Sequence, residues 1–558
     1  MENGRIWVQR SYSRDLFYHF LREGAFTPFL SRLLVCRGFK ELKEAYTFLY
    51  PQLTDFSDPF QIPEMDEAVK KMAKALKEGM KIGIYGDSDV DGIFGTYILY
   101  NFLSLLTKEN PIVLIPDKNK EGYGFHSKFL PFFKERGVKL LITVDVGVSS
   151  YETVENAKAL GLEVIITDHH EILRKPDTLV ISGKRTSLDS PFYHLCGAGV
   201  AFTLLRALRS YLHAEGFFSD KPLPPLRPYL ELVAIATLAD MVPLLGENRI
   251  ITYYGFRDLS SPTHPSLKAF FQALGLKDTI SEEELHFKII PRLNACGRMG
   301  KPELLFHFLV ERDKEELEKH LQELCALYVE RQNLELELWQ VIENTFILED
   351  SSPILIGVFE NIPKALLGLL ANRAKNKFGK PVLIISDEGD LCYGSGRSPE
   401  ELDLLTVLLP KRELFLELGG HKKAFGFQIL KENLKPLQEY LLASEALQKI
   451  DSQKKFLFVD AETTLSELFV EENLLAFKVL PPYGIAHEPP TLLLKDFEIK
   501  EILYLKDRHT KLLLKEGLNE VYALCFNKML EGNIKYLIGT PFINNFSQKL
   551  EIKVEDVK

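Results

Sequence analysis

Residues 81–92 read KIGIYGDSDVDG, an apolar run of strand length that stops at an aspartate and passes into three acids, Asp87, Asp89 and Asp91. Similar runs surround it: PIVLIP (111–116), KLLITVD (139–145), EVIITD (163–168) and TLVIS (178–182). The segments between them are helix-like and amphipathic, so the series reads as βαβ units and a parallel sheet. Three of the runs end in aspartate, at Asp87, Asp145 and Asp168, and the last is followed by His169 and His170. In an open parallel sheet ligands bind beyond the carboxyl ends of the strands, which brings these groups to one edge. Taken singly, an aspartate at a strand end caps a helix or forms a turn, and a histidine pair is ordinarily a surface feature. Together they are anions that repel unless cations sit among them. Oxygen ligands with a histidine suit Mg²⁺ or Mn²⁺, and a pair of such ions activates water for displacement at phosphorus.

Upstream, residues 14–78 read as helical, ending in MDEAVKKMAKALKEG with Gly79 as its C-cap. Residues 197–215 and 228–245 read as two buried helices separated by KPLPPLRP. The second of them contains LVAIATLADMVPLL, where the carboxylate of Asp240 needs an internal partner or a metal to offset its burial. Residues 311–346 contain no Gly or Pro and carry a helical period, predicting one long helix that bridges domains. PILIGVF, KPVLIIS and CYGSGRS then alternate with helical stretches to about residue 450. From residue 455 a string of short strands predicts a small closed β-barrel, with Phe456, Phe458, Phe497, Tyr504 and Tyr522 mostly in its core. The expected division is an N-terminal helical region (1–77), a catalytic domain (78–310), a connecting helix (311–346), a smaller α/β domain (347–450) and a barrel (451–558).

The 558 residues correspond to roughly three to four domains. A hydrophobic fraction of 46% supports several cores and excludes a disordered chain. The net charge of −10 excludes long-range attraction of a polyanion, so a nucleic-acid partner must meet a local basic groove. Six scattered cysteines without a CxxC pair predict reduced thiols and a cytoplasmic location. The first residues lack the apolar core of a signal peptide and no run is long enough to span a bilayer, so no membrane association is expected.

GDSDVDG, TVDVG and TDHH, followed by LVAIATLADMVPL, resemble the motifs of the DHH phosphoesterase superfamily. LSRLLVCRGF and FLYPQLTDFSDPFQIPEMDEAV, then IPDKNKEGYG, LCGAGVAF, PRLNACGRM, GSGRS and GGHKKAFGF, follow the order of its single-strand-specific exonucleases. The likeness runs from about residue 28 to 430 and weakly through the tail. It implies an α/β architecture: a parallel-sheet DHH domain, a long connecting helix, a smaller α/β DHH-associated domain and a C-terminal OB-like β-barrel. It also implies two Mn²⁺ or Mg²⁺ ions held by Asp87, Asp89, Asp91, Asp145, His169 and Asp240, with Asp145 as the bridge. Asp145, Asp168, His169 and His170 would form the catalytic group, His170 facing the scissile phosphate and Asp168 either ligating or orienting the histidines. Lys118, Arg298, Ser395 and Arg397 would bind the 5′ end, with Tyr123 stacking on a base. The alternatives for Arg298 and Tyr123 are a structural salt bridge and a core aromatic. His421 would touch phosphate or pack at a helix start.

Several positions depart from the family pattern. Tyr85 stands where many members have histidine, Val146 where asparagine is usual and Lys118 where arginine is usual. Ile362 and Pro363 replace a tryptophan–histidine pair, and IAHEPP replaces a GNPEP-like turn. Every expected carboxylate is present. The resemblance therefore implies a metal-dependent 5′-to-3′ exonuclease that cuts single-stranded DNA to mononucleotides in repair and recombination, with a helicase and a single-strand-binding protein as candidate partners. Two other readings are a DHH phosphoesterase of short oligoribonucleotides or cyclic dinucleotides, and a non-catalytic DNA-binding relative. The extra N-terminal and barrel regions weigh against the first, and the intact acids against the second.

Overall fold

The computed structural model describes residues 5–276, 280–348, 352–399, 402–448, 456–506, 508–531, 534–544 and 547–558. Five strands pair in parallel in the order Ile112–Leu114, Lys81–Gly86, Val138–Val144, Glu163–Thr167, Leu179–Ile181. Successive side chains enter two cores. Ile82, Ile84, Leu140, Ile142 and Ile165 meet the helices Val90–Ser104, Gly197–Ala214 and Leu230–Ala239. Tyr85, Leu141, Val164 and Ile166 meet Phe133 of helix Leu130–Glu135 and Val154 of helix Tyr151–Ala159. A strand covered on both faces is apolar at nearly every position, which is why these runs show no polar alternation.

The connecting helix runs Lys314–Leu348, 35 residues or about 50 Å. It starts at Lys314 because the carboxylate of Asp313 accepts from the N–H groups of Glu315 and Glu316. Beyond it lies a mixed sheet in the order Phe415–His421, Ala424–Leu430, Leu391–Arg397, Val382–Asp387, Leu355–Glu360, whose last pair is parallel and the rest antiparallel. Helix Lys364–Phe378 covers one of its faces with Leu366, Leu367 and Leu370.

The tail forms a seven-stranded sheet from Ala461–Thr463 to Glu498–Leu505. TLLLKDFEIKEILYL is two strands, Leu492–Leu494 and Glu498–Leu505, separated near Asp496, whose φ is +57°. The expectation that the tail aromatics are mostly core is corrected: Phe456, Phe458 and Tyr504 are about half exposed, the first two on a short strand of a two-stranded sheet and Tyr504 on an edge strand with both faces open. The helices Arg14–Glu23, Pro28–Cys36 and Leu42–Leu49 share one core with this sheet, and the strand Ile6–Gln9 pairs in parallel with Phe456–Val459. Helix Met65–Lys77 packs instead into the core of the catalytic sheet through Met65, Val69 and Met72. Buried Arg249 fastens the two bodies together: its guanidinium donates to the carbonyls of Phe48 (3.0 Å), Val479 (2.7 Å) and Pro481 (3.3 Å). All six cysteines are free, and among the described residues no helix is long and apolar enough to cross a membrane.

Candidate active site

Each of the three strand-end aspartates is the first residue past its strand, and its backbone N–H reaches the next strand over: Asp87 to Val144 O (3.2 Å), Asp145 to Thr167 O (2.9 Å), Asp168 to Ile181 O (3.2 Å). The parallel register therefore lines the acids along one edge. Asp145 holds a φ of +63°, a left-handed conformation that costs most residues energy and that aspartate tolerates better than most. It faces Gly197 closely: a Cβ at that glycine would lie 2.5 Å from the Asp145 Cβ. The N-terminus of helix Gly197–Ala214 can thus enter the cluster, where both oxygens of Asp91 accept from it, from Gly197 N (2.6 Å) and Ala198 N (2.7 Å). Asp89 caps helix Val90–Ser104 with one oxygen. The positive ends of two helix dipoles therefore point at the acids.

The predicted helix over 228–245 is shorter than expected. It ends at Ala239, and Asp240 is its C-cap, followed by Met241 at φ +56°. Asp240 thus leaves the apolar helix and meets His169, whose Nε2 lies 3.1 Å from Asp145, 3.6 Å from Asp240 and 3.9 Å from Asp91. Potential ligand atoms within 4.8 Å of one another form three overlapping sets: Asp87, Asp89 and Asp145; Asp91, His169 and Asp240; Asp145, His169 and His170. Burial and mutual repulsion push the carboxyls of Asp87, Asp145 and Asp240 above their ordinary range, and Asp91 up to about 6. Burial and the neighbouring His170 hold His169 down at about 3, so its imidazole is neutral and able to ligate. Oδ1 of Asp145 is buried without a hydrogen-bond partner. An orphaned carboxylate oxygen among oxygens and one imidazole fits a hard divalent cation.

Asp168 resolves differently from its neighbours. It is fully buried; Oδ1 accepts from His169 N (2.7 Å), His170 N (3.1 Å) and His170 Nδ1 (2.8 Å), and Oδ2 accepts from Val148 N (3.0 Å). Burial opposes its charge, but the His170 hydrogen bond and the two histidines hold it below the ordinary range. Asp168 thus carries four donors, holds His170 through Nδ1 and stands in none of the three ligand sets, which favours an orienting role. Asp168→Asn is therefore expected to lower turnover by about 10²-fold or more while a calorimetric Mn²⁺ titration still saturates at two ions. Saturation at one ion would make Asp168 a ligand.

The remaining predicted residues fall into two groups. Lys118 Nζ pairs with Asp87 at 3.2 Å and lies 4.9 Å from the Tyr123 ring. The Tyr123 hydroxyl sits 3.0 Å from His170 Nδ1 and 3.2 Å from the Asp145 carbonyl, while its ring is 44% exposed, so it is not a core aromatic. On the second domain Arg397 donates to the Ser395 hydroxyl at 2.9 Å. Arg298 has no ion pair among the described residues, and it donates to the carbonyl of Ala365. Burial lowers the pKa of both arginines, and Arg298 lowers that of Arg397 further. Two guanidiniums on neighbouring elements, neither of them ion-paired among the described residues, suit a phosphate. His421 ends the strand Phe415–His421 at a hairpin, which corrects the helix-start reading; its side chain lies outside the described residues. Sequence reasoning missed Asn294, whose side chain accepts from Val90 N at 3.1 Å and braces the acidic loop, and Asn119 beside Lys118. Both lie inside quoted motifs, IPDKNKEGYG and PRLNACGRM, but nothing in those motifs marks the contacts they make.

A family model described as the DHH family, N-terminal domain, matches residues 81–237, which hold every acid of the site except Asp240. Another, the RecJ OB domain, matches residues 459–556. Sheet, acidic edge and facing domain define a DHH-type phosphoesterase. The single-stranded-DNA-specific exonuclease RecJ of Bacillus subtilis (strain 168) is 30% identical over 554 residues, covering 95% of this chain and 68% of its own. That of Escherichia coli (strain K12) is 31% identical over 434 residues, 74% of each. The chain belongs to the RecJ family of single-stranded-DNA-specific exonucleases. A crystal structure of RecJ in complex with Mn²⁺ from Thermus thermophilus matches all of this chain and 80% of its own, with a TM-score of 0.81 and 25% identity.

Proposed function

We propose that this chain is a metal-dependent exonuclease that removes mononucleotides from the 5′ end of single-stranded DNA, in repair and recombination. The observation that carries the reading is the ordered edge of acids around Asp145, on the domain whose Arg298 is bonded to a second domain that carries Ser395 and Arg397. Two Mn²⁺ or Mg²⁺ ions among Asp87, Asp89, Asp91, Asp145, His169 and Asp240 would activate a water and neutralise charge gathering at phosphorus. Asp145 offers the shared carboxylate. His170, oriented by Asp168, directs Nε2 at the phosphate, and Lys118 steadies Asp87. Arg298, Ser395 and Arg397 hold the terminal 5′ phosphate, with His421 near it, and the exposed Tyr123 ring stacks on a base. The proposed division keeps a catalytic domain (78–310), a connecting helix (311–346), a smaller α/β domain (347–450) and an OB-like body (451–558), and shares out the N-terminal helical region (1–77): residues 14–49 pack on the OB-like body and helix Met65–Lys77 on the catalytic sheet. The working location is the cytoplasm, where a helicase supplies single strands and a single-strand-binding protein shields them.

The test is incubation of end-labelled single strands, blunt duplex and dinucleotides with Mn²⁺, with product length as readout. Mononucleotides shed from the 5′ end of single strands, and intact duplex, are the expected result. Cleavage of dinucleotides alone would favour a short-oligonucleotide phosphoesterase, and binding without cleavage a non-catalytic relative.

A further inference from the structure

The acidic centre and Arg298 lie on the catalytic domain, whereas Ser395 and Arg397 lie on the second, so whatever fastens one domain to the other sets the span between the acids and Arg397. Among the described residues, two hydrogen bonds pass directly from residues 5–310 to residues 352–448, and both end on Ala365. Asn119 Oδ1 accepts from Ala365 N at 3.2 Å, and Arg298 Nη1 donates to Ala365 O at 2.6 Å. Asn119 Nδ2 also donates to the backbone carbonyl of Arg298 at 3.0 Å, closing a triangle.

The borrowed partner has a local cause. Helix Lys364–Phe378 starts after Pro363, whose side chain caps nothing. The first N–H groups of a helix have no acceptor within it, and a side-chain oxygen at the N-cap normally serves the second or third of them. Here Ala365 is the second residue and the oxygen comes from Asn119 on the other domain. Asn119 is itself held, because the Asp117 carboxylate accepts from its N–H at 3.0 Å. The preceding residue, Lys118, sits on Asp87. One turn along the second-domain helix, Gly368 approaches the arginine pocket so closely that a Cβ there would lie 2.6 Å from Arg397 Nη2. Asn119 thus stands one residue from the acidic centre and one helical turn from the phosphate pocket.

We propose that Asn119 is a positioning residue that caps the second-domain helix from the catalytic domain and so fixes the span between terminal and scissile phosphates, and with it the length of the product. The inference rests on the reading of Arg298, Ser395 and Arg397 as the terminal-phosphate pocket. In the full chain, Asn119→Ala is expected to release dinucleotides alongside mononucleotides. Its preference in kcat/KM for 5′-phosphorylated over 5′-hydroxyl strands should fall about three- to tenfold, the span of one or two hydrogen bonds. Hydrogen exchange at Ala365 should quicken, and Mn²⁺ should still bind at two ions. Asn119→Asp keeps the acceptor for Ala365 N and should recover product length in part. Faster exchange at Ala365 with unchanged product length and end preference would reduce Asn119 to a structural clip and overturn the proposal. Loss of the pocket reading itself would appear elsewhere, as an unmodified protein indifferent to the 5′ phosphate.

Discussion

Asp145→Asn is expected to reduce turnover by at least about 10³-fold, roughly 4 kcal/mol of barrier, and at the same time to raise the apparent Tm of the metal-free protein. Both follow from one fact. Asp145 is 2% exposed among other acids, and burial with their charges holds its carboxyl above the usual range. Without cations the unfolded chain loses these protons above about pH 4 while the folded chain keeps them, so metal-free stability falls as pH rises. With Asp91 at about 6 and Asp87, Asp145 and Asp240 also raised, the window opens near pH 4 and extends beyond pH 6. Asparagine at 145 removes one repelling group and should shift the Tm upward by roughly 2–4 °C for each kcal/mol relieved. Thermal melts in chelator at several pH values, beside rates in Mn²⁺, check both halves. A variant of unchanged activity, or a metal-free protein that gains stability as pH rises from 5 to 7, would contradict the two-ion centre.

The second large effect is expected on the second domain. Arg397 has no carboxylate partner among the described residues and lies near Arg298, an arrangement that favours an anion between them. Arg397→Ala should lower kcat/KM on 5′-phosphorylated strands by about 10- to 100-fold, the worth of a hydrogen bond to a charged group, and leave 5′-hydroxyl strands far less affected. Arg397→Lys should recover only part, since an ammonium cannot reproduce the guanidinium fork. Equal losses on both substrates would assign the arginine to general affinity or to the fold.

The catalytic sheet was legible because its three central strands are buried on both faces and each of those three ends in an acid, so composition alone marks both the strand and its functional tip. Asp240 was legible as a ligand candidate but not in its backbone setting: the apolar run continues past Ala239, and the turn at Met241 depends on tertiary contacts such as Leu244 N to Ile485 O. Asp168 could not be separated from the ligands by its spacing, because the distinction lies in four donors that converge only after folding. Asn119 and Asn294 sit inside quoted motifs, but their roles were silent for the same reason: partners 246 and 204 residues away leave no local trace of the contact. The helices before residue 50 read correctly as helices, but amphipathic periodicity gives a buried face without naming what covers it.

The leading helices and the residues that cover them are far apart in the chain, which matters while the protein is being made. Phe29, Leu33, Leu34 and Leu49 find their cover in Leu468, Phe477, Leu512 and neighbours, all beyond residue 460. At about 5–20 residues per second, a ribosome takes roughly 20 to 80 s to travel that far, and the leading helices wait uncovered throughout. The catalytic sheet needs nothing from the tail to close its own two cores, so it can fold while they wait. Synthesis of this chain is therefore expected to pass through a long-lived nascent state with a finished middle and sticky leading helices, a natural client for a ribosome-bound chaperone.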